Sequence, residues 1–270
     1  MYCELINNEP INKEIFRLDF IWPGTAQTEF AAPSAPTVPP ALSVPRAGQF
    51  FMVKPKRSTV FLARPISIAL WESNTVKFLI ARRGRGTGEL AAMRPGEEAE
   101  LIGPLGNAWK NFLPKKGDKP IALVGGGIGI APLEALVGEE SEYYFDFYAG
   151  FRTGLKKIEE NIMLLGPAYA SEGELIIATE DGKSGKKGLI PDFLEPAKYA
   201  AVCACGPEPM LKAVAEKCKA VQVPCFVSME KRMACGVGAC LGCTVRTVNG
   251  NRRCCADGPI FIANEVIFDD

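Results

Sequence analysis

Short runs of β-branched and aromatic residues alternate with turn-forming residues over the first 113 positions of the chain. Runs of this length and spacing are typical of an antiparallel sheet or a small barrel rather than of helices. We therefore predict a β-barrel domain over residues 1–113. Its predicted strands are Glu14–Trp22, Gln49–Lys54, Pro65–Trp71, Thr75–Arg82 and Glu98–Ile102.

One segment interrupts this pattern. Between Pro23 and Pro45 the chain carries six prolines among Ala, Ser and Thr, and one charged residue, Glu29. Proline cannot donate a hydrogen bond to a β-ladder, and this composition is poorly suited to a packed core. We predict a surface insertion over residues 23–46, between two strands of the barrel.

The pattern changes near Pro120, where apolar runs begin to alternate with stretches of helical periodicity. Strands that alternate with helices indicate parallel pairing and βαβ units, so we predict an α/β domain over residues 118–222. A helix is predicted over Pro209–Lys219. The predicted strands are Ile121–Val124, Tyr143–Ala149, Leu175–Thr179 and Tyr199–Cys205.

The last stretch, residues 223–270, differs again and is predicted to form a small third module. Five of the ten cysteines lie between Cys235 and Cys255. Three of them, Cys235, Cys240 and Cys243, have the spacing C-x4-C-x2-C, which with a distant fourth cysteine is the plant-type [2Fe–2S] pattern. Such an anionic cluster needs a tight loop that aims N–H groups at the sulfurs, and glycine permits it. The glycines are Gly236, Gly238 and Gly242, and the flanking basic residues are Lys231, Arg232, Arg252 and Arg253.

A zinc site or a disulfide framework could also use these cysteines. C-x2-C and C-x4-C both lie within the spacing of structural zinc sites. A disulfide framework requires an oxidising compartment. The remaining cysteines lack such spacing and are predicted to be small core residues; they are Cys3, Cys203, Cys205, Cys218 and Cys225.

Composition and charge narrow the possible functions. Hydrophobic residues make up 47% of the 270 positions and charged residues 23%, which excludes a wholly disordered chain. The 31 basic and 31 acidic residues cancel, so we expect no nucleic-acid partner and no membrane. The first 20 residues lack the features of a signal peptide, and we predict a cytosolic (cytoplasmic) protein with reduced thiols.

The sequence contains no histidine. This excludes a Ser-His-Asp or Cys-His nucleophile, a Rieske-type cluster, a histidine-bearing zinc site and a histidine proton shuttle. The chemistry of this protein must therefore depend on other groups.

A glycine-rich turn follows the first predicted strand of the α/β domain. This turn, Gly125–Pro132, contains Gly127-x-Gly129 and has Pro132 where a Rossmann fingerprint has its third glycine. A proline suits the start of a helix, and the polarised start of a helix lets a pyrophosphate approach closely. A plain tight turn is the alternative interpretation. The segment Cys205–Met210 follows a later strand and could form the rim of a nicotinamide pocket.

Two segments of the barrel region are candidate ligand-binding segments. They are Arg64–Ser67 and Gly84–Gly88. Arginine beside a serine hydroxyl supplies a guanidinium for a phosphate and a short donor for a flavin ring. The second segment offers amides and the Thr87 hydroxyl to the other side of a pyrophosphate. In the plainer interpretation, Arg64 is a surface charge and Gly86 a turn residue.

In this order the motifs resemble the ferredoxin reductase superfamily, and specifically the electron-transfer subunits of two-subunit, NAD-linked (class B) dihydroorotate dehydrogenases. The resemblance extends over nearly the whole chain and depends most on the block Met229–Cys243. The other motifs that carry it are Arg64–Ser67, Gly86-Thr87, Gly125–Pro132, Cys205–Met210 and Cys255–Phe261.

The resemblance implies a flavin-binding β-barrel, an NAD-binding α/β domain and a C-terminal [2Fe–2S] module. It implies cluster ligation by Cys235, Cys240, Cys243 and Cys255, since the fourth cysteine of the family stands two residues before Asp-Gly-Pro. The residues implied to bind FAD or NAD are Arg64, Pro65, Ile66, Ser67, Ile80, Ala81, Gly86, Thr87, Gly125, Gly126, Gly127, Ile128, Gly129, Cys205, Gly206, Pro207 and Glu208.

The sequence departs from the family pattern in two places. The family often has Tyr-Arg on the strand before the glycine loop, where this chain has Ile80-Ala81, followed by Arg82 and Arg83. The proline-rich insertion also lengthens the barrel.

The three cofactors that the resemblance implies, FAD, NAD and a [2Fe–2S] cluster, indicate a mechanism. A nicotinamide accepts two electrons as hydride and an iron–sulfur cluster passes them singly, whereas a flavin does both. We expect electrons to enter at the cluster, pass to FAD and leave as hydride to NAD⁺. The resemblance implies an FMN-containing catalytic subunit, which oxidises dihydroorotate in pyrimidine biosynthesis, as the donor in a hetero-oligomer. This chain alone should not oxidise dihydroorotate.

Two alternatives remain. One is a reductase subunit of the same architecture that serves a ferredoxin/NADP, sulfide, sulfite or hydrogenase partner. The other is a zinc-stabilised nucleotide-sensing module without redox activity. For NAD over NADP, Glu180 and Asp181 after a strand could bond a ribose and repel a 2′-phosphate, or they could form a solvated turn before Gly182.

Overall fold

The computed structural model describes residues 1–23, 44–154 and 173–268. The insertion predicted over residues 23–46 therefore lies mostly outside the described residues. In the described ranges, no helix is both long enough and apolar enough to cross a membrane.

The amino-terminal region forms a closed barrel of six strands, as the alternating pattern predicted. The strands are β1 (Tyr2–Pro10), β2 (Ile15–Ile21), β3 (Phe50–Pro55), β4 (Arg64–Glu72), β5 (Thr75–Ala81) and β6 (Glu98–Leu105). They pair antiparallel in the order β1-β2-β5-β4-β3-β6. Aromatic and aliphatic side chains fill the interior, among them Phe20, Trp22, Phe51 and Phe78. Closure leaves the barrel sheet without an edge.

Two elements of this region differ from the prediction. Strand β1 was not predicted. A short helix, α1 (Arg85–Ala91), occupies the segment predicted as a glycine loop. It forms because the Thr87 hydroxyl accepts the backbone N–H groups of Arg83 (2.9 Å) and Gly84 (3.2 Å), which caps the first turn. A side chain three residues into the helix thus overrides the low helix propensity of its glycines.

The second region is an α/β domain around a seven-stranded sheet. Its strands include β7 (Ile121–Gly126), β8 (Phe145–Phe151), β9 (Leu175–Thr179), β10 (Lys186–Lys187), β11 (Ala201–Cys205) and β12 (Cys225–Ser228). These six strands are parallel, in the order β10-β9-β8-β7-β11-β12. Among the described residues of this domain, the α-helices are α2 (Ala131–Glu139) and α3 (Glu208–Ala220). The predicted α/β organisation is confirmed.

The carboxy-terminal stretch adds a hairpin, β13 (Thr244–Thr247) with β14 (Gly250–Arg253), and a strand β15 (Ile260–Ile262). Strand β15 pairs antiparallel with β12 and completes the seven-stranded sheet. The predicted boundary at residue 223 stays a prediction, and strands on both sides of it belong to one sheet.

The order of the strands locates a crevice in the α/β domain. From β7 the chain proceeds to β8 on one side, whereas β11, on the other side of β7, comes from a later part of the chain. Such a reversal separates the connections at the carboxyl ends of the two neighbouring strands, and ligands of open α/β sheets bind there. The crevice therefore lies where β7 and β11 end.

Helix α2 joins the barrel to the α/β domain. The Glu139 carboxylate accepts the backbone N–H of Ala47 (2.8 Å) and pairs with Arg46 (2.9 Å). One residue earlier, a Cβ at Gly138 would lie 3.6 Å from Leu70 of β4. Because both contacts come from the helix that follows the crevice, the crevice is held against the outer face of the barrel.

Candidate functional site

Three glycines let the two loops of the crevice touch each other. A Cβ at Gly129 would overlap the carbonyl group of Cys205. A Cβ at Gly126 would lie 2.7 Å from Cδ of Pro207, and one at Gly206 would lie 2.9 Å from the nitrogen of Gly126. The structure thus brings the predicted segments 125–132 and 205–210 together as two sides of one site.

Gly127 lies at the open side of this crevice. Its φ of 57° is in the left-handed region, and a Cβ there would meet no atom within 4 Å. A 3₁₀ turn, Gly127–Ile130, separates the strand from α2, which begins at Ala131 rather than at the expected Pro132. A phosphate group could approach the backbone closely at this point, and Ile128 and Gly129 of the same turn line it.

On the barrel side, Arg64 begins β4 and its side chain lies across α1. A Cβ at Gly86 would overlap Nε of Arg64, so only glycine leaves space for the guanidinium there. Among residues 1–23, 44–154 and 173–268, the guanidinium makes one long hydrogen bond, 3.5 Å to the carbonyl of Ala63. Arg64 therefore keeps donors available for an anionic ligand, which fits the pyrophosphate of a dinucleotide.

The other residues predicted to bind the flavin differ in their burial and in their hydrogen bonds. Ser67 is half-buried, and within the described part of the chain its hydroxyl has no hydrogen-bond partner. Ile66 and Ile80 point into the barrel core, so only their backbone could reach a ligand. The Thr87 hydroxyl donates to the Gly84 carbonyl (3.2 Å) besides capping α1, and its bonding capacity is already used. Pro65 and Ala81 are half-buried next to these positions.

The four predicted cluster ligands form two pairs of thiols. Cys235 is in side-chain hydrogen-bond contact with Cys240, and Cys243 with Cys255. Over the described ranges, no three His, Cys, Asp or Glu side chains converge on the position of a single metal ion. A [2Fe–2S] cluster divides four cysteine thiolates between two irons, and this set of two pairs fits that division.

Backbone amides point at these sulfurs. The N–H of Gly238 donates to Sγ of Cys255 (3.1 Å), that of Cys240 to Sγ of Cys235 (3.4 Å), and that of Cys255 to Sγ of Cys243 (3.4 Å). Gly238 has a φ of 79°, which glycine adopts without strain. The loop therefore forms the nest of amides that an anionic cluster requires.

The amides change the acidity of the first predicted ligand. The backbone N–H groups of Cys240 and Val237 lower the pKa of Cys235 to about 6, because they stabilise its thiolate. Burial and the neighbouring Cys243 thiol raise the pKa of Cys255 to about 12. Cys240 is exposed, whereas Cys243 and Cys255 are buried. Cys235 is half-buried, so the side of the site formed by Cys235 and Cys240 is the one that faces solvent.

Cys254, which had no predicted role, has a separate hydrogen bond. Its Sγ donates to the carbonyl of Met229 (3.0 Å), just beyond β12, and its backbone N–H donates to the carbonyl of Cys243 (2.9 Å). Cys254 is buried. It connects the cysteine loop to the residue that follows β12. The five cysteines predicted to be core residues are all buried: Cys3, Cys203, Cys205, Cys218 and Cys225.

Asn107, which the sequence did not single out, fastens the cysteine module to the barrel. Its amide nitrogen donates to the carbonyls of Asp257 (3.2 Å) and Ile260 (2.9 Å), and its amide oxygen accepts the N–H of Ile260 (3.0 Å). Its backbone N–H donates to the carbonyl of Gly258 (2.7 Å). Asn107 follows a glycine at the end of β6, which is the signal that could have indicated it.

Two of the four flanking basic residues are held by ion pairs. Lys231 pairs with Glu208 of α3 (3.2 Å). Arg253 makes two side-chain hydrogen bonds to Asp257, of 2.9 and 3.0 Å, which lower the pKa of that carboxyl to about 2. Glu208, predicted to bind a cofactor, thus also connects the crevice loop to the cysteine module.

The two acidic residues after β9, Glu180 and Asp181, make different contacts. The Asp181 carboxylate accepts the backbone N–H groups of Gly154 (3.0 Å) and Lys183 (3.0 Å), and these bonds lower its pKa. Asp181 therefore connects the loops after β8 and β9, as the plainer interpretation of a turn residue predicted. Glu180 is exposed and its carboxylate makes no such bonds within the described ranges, so it is the one of the pair left for a ribose.

Comparison with known proteins agrees with this geometry. Residues 230–267 match the family described as the iron-sulfur cluster binding domain of dihydroorotate dehydrogenase B. The electron transfer subunit of dihydroorotate dehydrogenase B (NAD(+)) from Clostridium perfringens is 43% identical over 82% of this chain and 87% of its own length. The subunit of the same name from Caldanaerobacter subterraneus subsp. tengcongensis is 34% identical over 99% of this chain and 98% of its own.

Solved structures share the fold. An NADH-dependent reduced ferredoxin-NADP oxidoreductase superimposes with a TM-score of 0.77 at 24% identity, over 99% of this chain and 90% of that chain. A ferredoxin NADP⁺ reductase from Neisseria gonorrhoeae, solved with bound FAD and NADP, has a TM-score of 0.59 at 16% identity, over 82% of this chain and 92% of its own. The barrel and the α/β domain thus have the same fold as these reductases. On its sequence relatives, the chain belongs to the family of electron transfer subunits of dihydroorotate dehydrogenase B.

Proposed function

We propose that this chain transfers electrons from a dihydroorotate-oxidising catalytic subunit, which carries FMN, to NAD⁺ in pyrimidine biosynthesis. The observation that carries the proposal is the contact between the cysteine loop and strand β3, the neighbour of the strand proposed to bind FAD. A Cβ at Gly236, next to Cys235, would lie 2.7 Å from the Met52 side chain of β3. Met52 is paired with Pro65 of β4, inside the motif proposed to bind FAD.

Each of the three proposed sites has residues suited to its cofactor. When bound, the cluster supplies one-electron transfer, FAD exchanges one or two electrons, and NAD⁺ accepts a hydride. Cys235, Cys240, Cys243 and Cys255 hold the cluster, and the amides that point at their sulfurs balance its negative charge.

The flavin and nicotinamide sites share the space between the barrel and the crevice. Arg64 pairs with the pyrophosphate of FAD, and the free hydroxyl of Ser67 is placed to bond its ring. Gly127 lets the pyrophosphate of NAD⁺ lie against the backbone. The contact of Gly126 with Pro207 brings the two crevice loops together, and these loops would hold the nicotinamide, which would accept the hydride.

The relatives favour this function over the alternatives. The two relatives compared are both named as subunits of dihydroorotate dehydrogenase B, which argues against a ferredoxin/NADP, sulfide, sulfite or hydrogenase partner. The family matched by residues 230–267 is described by its iron–sulfur cluster, and the thiols stand in two pairs, which argues against a zinc-stabilised module.

The test is co-expression with a candidate FMN-containing subunit and an assay of dihydroorotate-dependent NAD⁺ reduction. We expect activity in the complex and none with this chain alone. Cys240→Ser should abolish the reaction, whereas Cys3→Ser, a change at a buried cysteine of the barrel, should preserve it. Full activity of the Cys240 variant would contradict the proposed path.

A further inference from the structure

Arg253 and Asp257 close the turn that contains Cys255, the last of the proposed cluster ligands. The backbone N–H of Asp257 donates to the carbonyl of Arg253 (2.8 Å), and the backbone N–H of Arg253 donates to Oδ2 of Asp257 (2.7 Å). The two side chains are also bonded to each other. The position of Arg253 relative to Cys255 is therefore fixed by hydrogen bonds of both backbone and side chains.

The carboxylate of Asp257 holds one side of the Arg253 guanidinium. Nε donates to Oδ2 (2.9 Å) and Nη2 donates to Oδ1 (3.0 Å), which makes a planar contact at two points. Such a contact leaves the third nitrogen, Nη1, on the opposite side of the guanidinium. Over the ranges that the structure describes, Nη1 donates no hydrogen bond. Arg253 therefore directs two N–H groups away from its acidic partner.

The free side of the guanidinium lies against the cysteine loop at Gly238. A Cβ at Gly238 would lie 3.4 Å from Nη1 of Arg253 and 3.5 Å from its Cδ. The N–H of Gly238 is the donor that points at Sγ of Cys255 (3.1 Å). Gly238 is buried, whereas Arg253 is half-buried. The guanidinium thus packs against the residue whose amide is directed at a proposed cluster sulfur.

The other three basic residues that flank the cysteines are placed differently. Lys231 is paired with Glu208 of α3 (3.2 Å). Arg232 is exposed. Arg252 is also exposed, and because successive side chains of a strand point in opposite directions, it leaves β14 on the face opposite to Arg253. Among these four residues, Arg253 is the one whose charge is held against the cysteine loop.

We propose that Arg253 raises the reduction potential of the [2Fe–2S] cluster. The inference rests on the proposed function, because it assumes that the four proposed cysteines hold the cluster. An all-thiolate cluster is anionic, and it gains one more negative charge when it accepts an electron. A fixed positive charge near the cluster stabilises the reduced form more than the oxidised form, and hydrogen bonds to its sulfurs act in the same direction.

Asp257 directs this positive charge without cancelling it. Nη1 of Arg253, and no oxygen of Asp257, is among the three atoms nearest to a Cβ at Gly238. Since Coulomb interactions weaken with distance, the guanidinium affects the cysteine loop more than the carboxylate does. A higher potential lets an electron enter the cluster more readily and leave it less readily. Arg253 therefore sets the balance between the entry of electrons and their transfer to FAD.

The test is a redox titration of the purified chain with its cluster and FAD in place, at one pH, in which EPR measures the reduced cluster. Neither a catalytic subunit nor dihydroorotate is needed. We expect Arg253→Gln to lower the ratio of reduced to oxidised cluster at a fixed potential about 5-fold or more, which corresponds to about 40 mV for a one-electron couple. Arg252→Gln is the matched control, because it removes the same charge from an exposed arginine of the same strand, and it should change the ratio less than about 2-fold.

A second variant separates the charge of Arg253 from its placement. Arg253→Lys keeps the charge but cannot bind Asp257 at two points, so it should lower the ratio by less than Arg253→Gln does. If Arg253→Gln loses its iron, the lysine variant is titrated instead, and its potential should still lie below that of the unmodified protein. Equal shifts in the two glutamine variants, or an unchanged potential in the Arg253 variants, would overturn the inference. An unmodified protein that holds no iron would instead disprove the proposed cluster site.

Discussion

The backbone N–H of Gly238 donates to the sulfur of Cys255 across 3.1 Å, although 17 residues separate them. This bond joins the first part of the cysteine loop to the last proposed ligand. It places an amide where the charge of a cluster sulfur would be. The backbone of the folded chain thus supplies part of the cysteine site.

The two adjacent cysteines should behave differently when each is changed to alanine. Cys255→Ala removes a proposed ligand, and we expect loss of iron and of the visible absorption after anaerobic purification. Cys254→Ala removes the hydrogen bond to the Met229 carbonyl and should keep iron, at a cost of about 1 kcal/mol in the free energy of unfolding. Iron content and thermal unfolding are the measurements. Retention of iron by the Cys255 variant with loss in the Cys254 variant would reverse the assignment.

Gly238→Ala should impair cluster binding. The substitution costs about 1–2 kcal/mol for a left-handed residue, and its Cβ would lie 2.9 Å from that of Ala256, which displaces the amide from Cys255. We expect less iron per chain and faster bleaching in air. Gly250→Ala is the matched control, because Gly250 also has a positive φ but stands in the β13–β14 turn with open space around it. Equal loss of iron in both variants would show that strain alone is responsible.

The flavin site can be tested at two glycines of one helix. Gly86→Ala forces the Arg64 guanidinium away from α1, and we expect the ratio of FAD to protein to fall at least about 10-fold, which corresponds to 1.4 kcal/mol. A Cβ at Gly88 meets nothing within 4 Å, so Gly88→Ala should keep FAD and stabilise the helix by about 0.5–1 kcal/mol. Flavin absorbance of the purified variants decides between the outcomes, and full FAD content in the Gly86 variant would exclude Arg64 as a main contact.

Glu134 of α2 predicts a pH dependence of stability. It is buried, its Oε1 has no hydrogen-bond partner among the residues that the structure describes, and burial raises its pKa well above 4.5. The folded protein therefore holds this proton more tightly than the unfolded chain does, so the free energy of unfolding decreases as the pH rises from 4.5 toward the folded pKa.

Glu134→Gln removes this dependence. The variant should be more stable than the unmodified protein at pH 8, by about 1.4 kcal/mol for each unit that the pKa is raised, and the difference should vanish near pH 4. Thermal unfolding at both pH values measures it. A variant that is less stable at pH 8 would indicate that the ionised carboxylate has a favourable partner.

The strands and the chemical motifs could be predicted because their signals are local. Leu175–Thr179 is a strand with the predicted bounds. A short run of apolar and β-branched residues favours a strand through its own composition, without help from distant residues. The cysteine spacing and the glycines around Gly127 likewise belong to single loops, whose backbone is determined by a few neighbouring residues. Helix α1 was missed because its stability depends on one hydroxyl, that of Thr87, and not on helix propensity.

The sequence by itself determined which groups the protein can use: four thiols in an iron–sulfur spacing, two glycine-rich turns, one arginine before a flavin motif, and no histidine. The tertiary structure decided how they are combined. Only the folded chain brings Gly129 against Cys205, Gly236 against Met52, and Asn107 against Ile260. These contacts join residues far apart in the chain, and they arise from strand order and packing, which no local pattern of residues encodes.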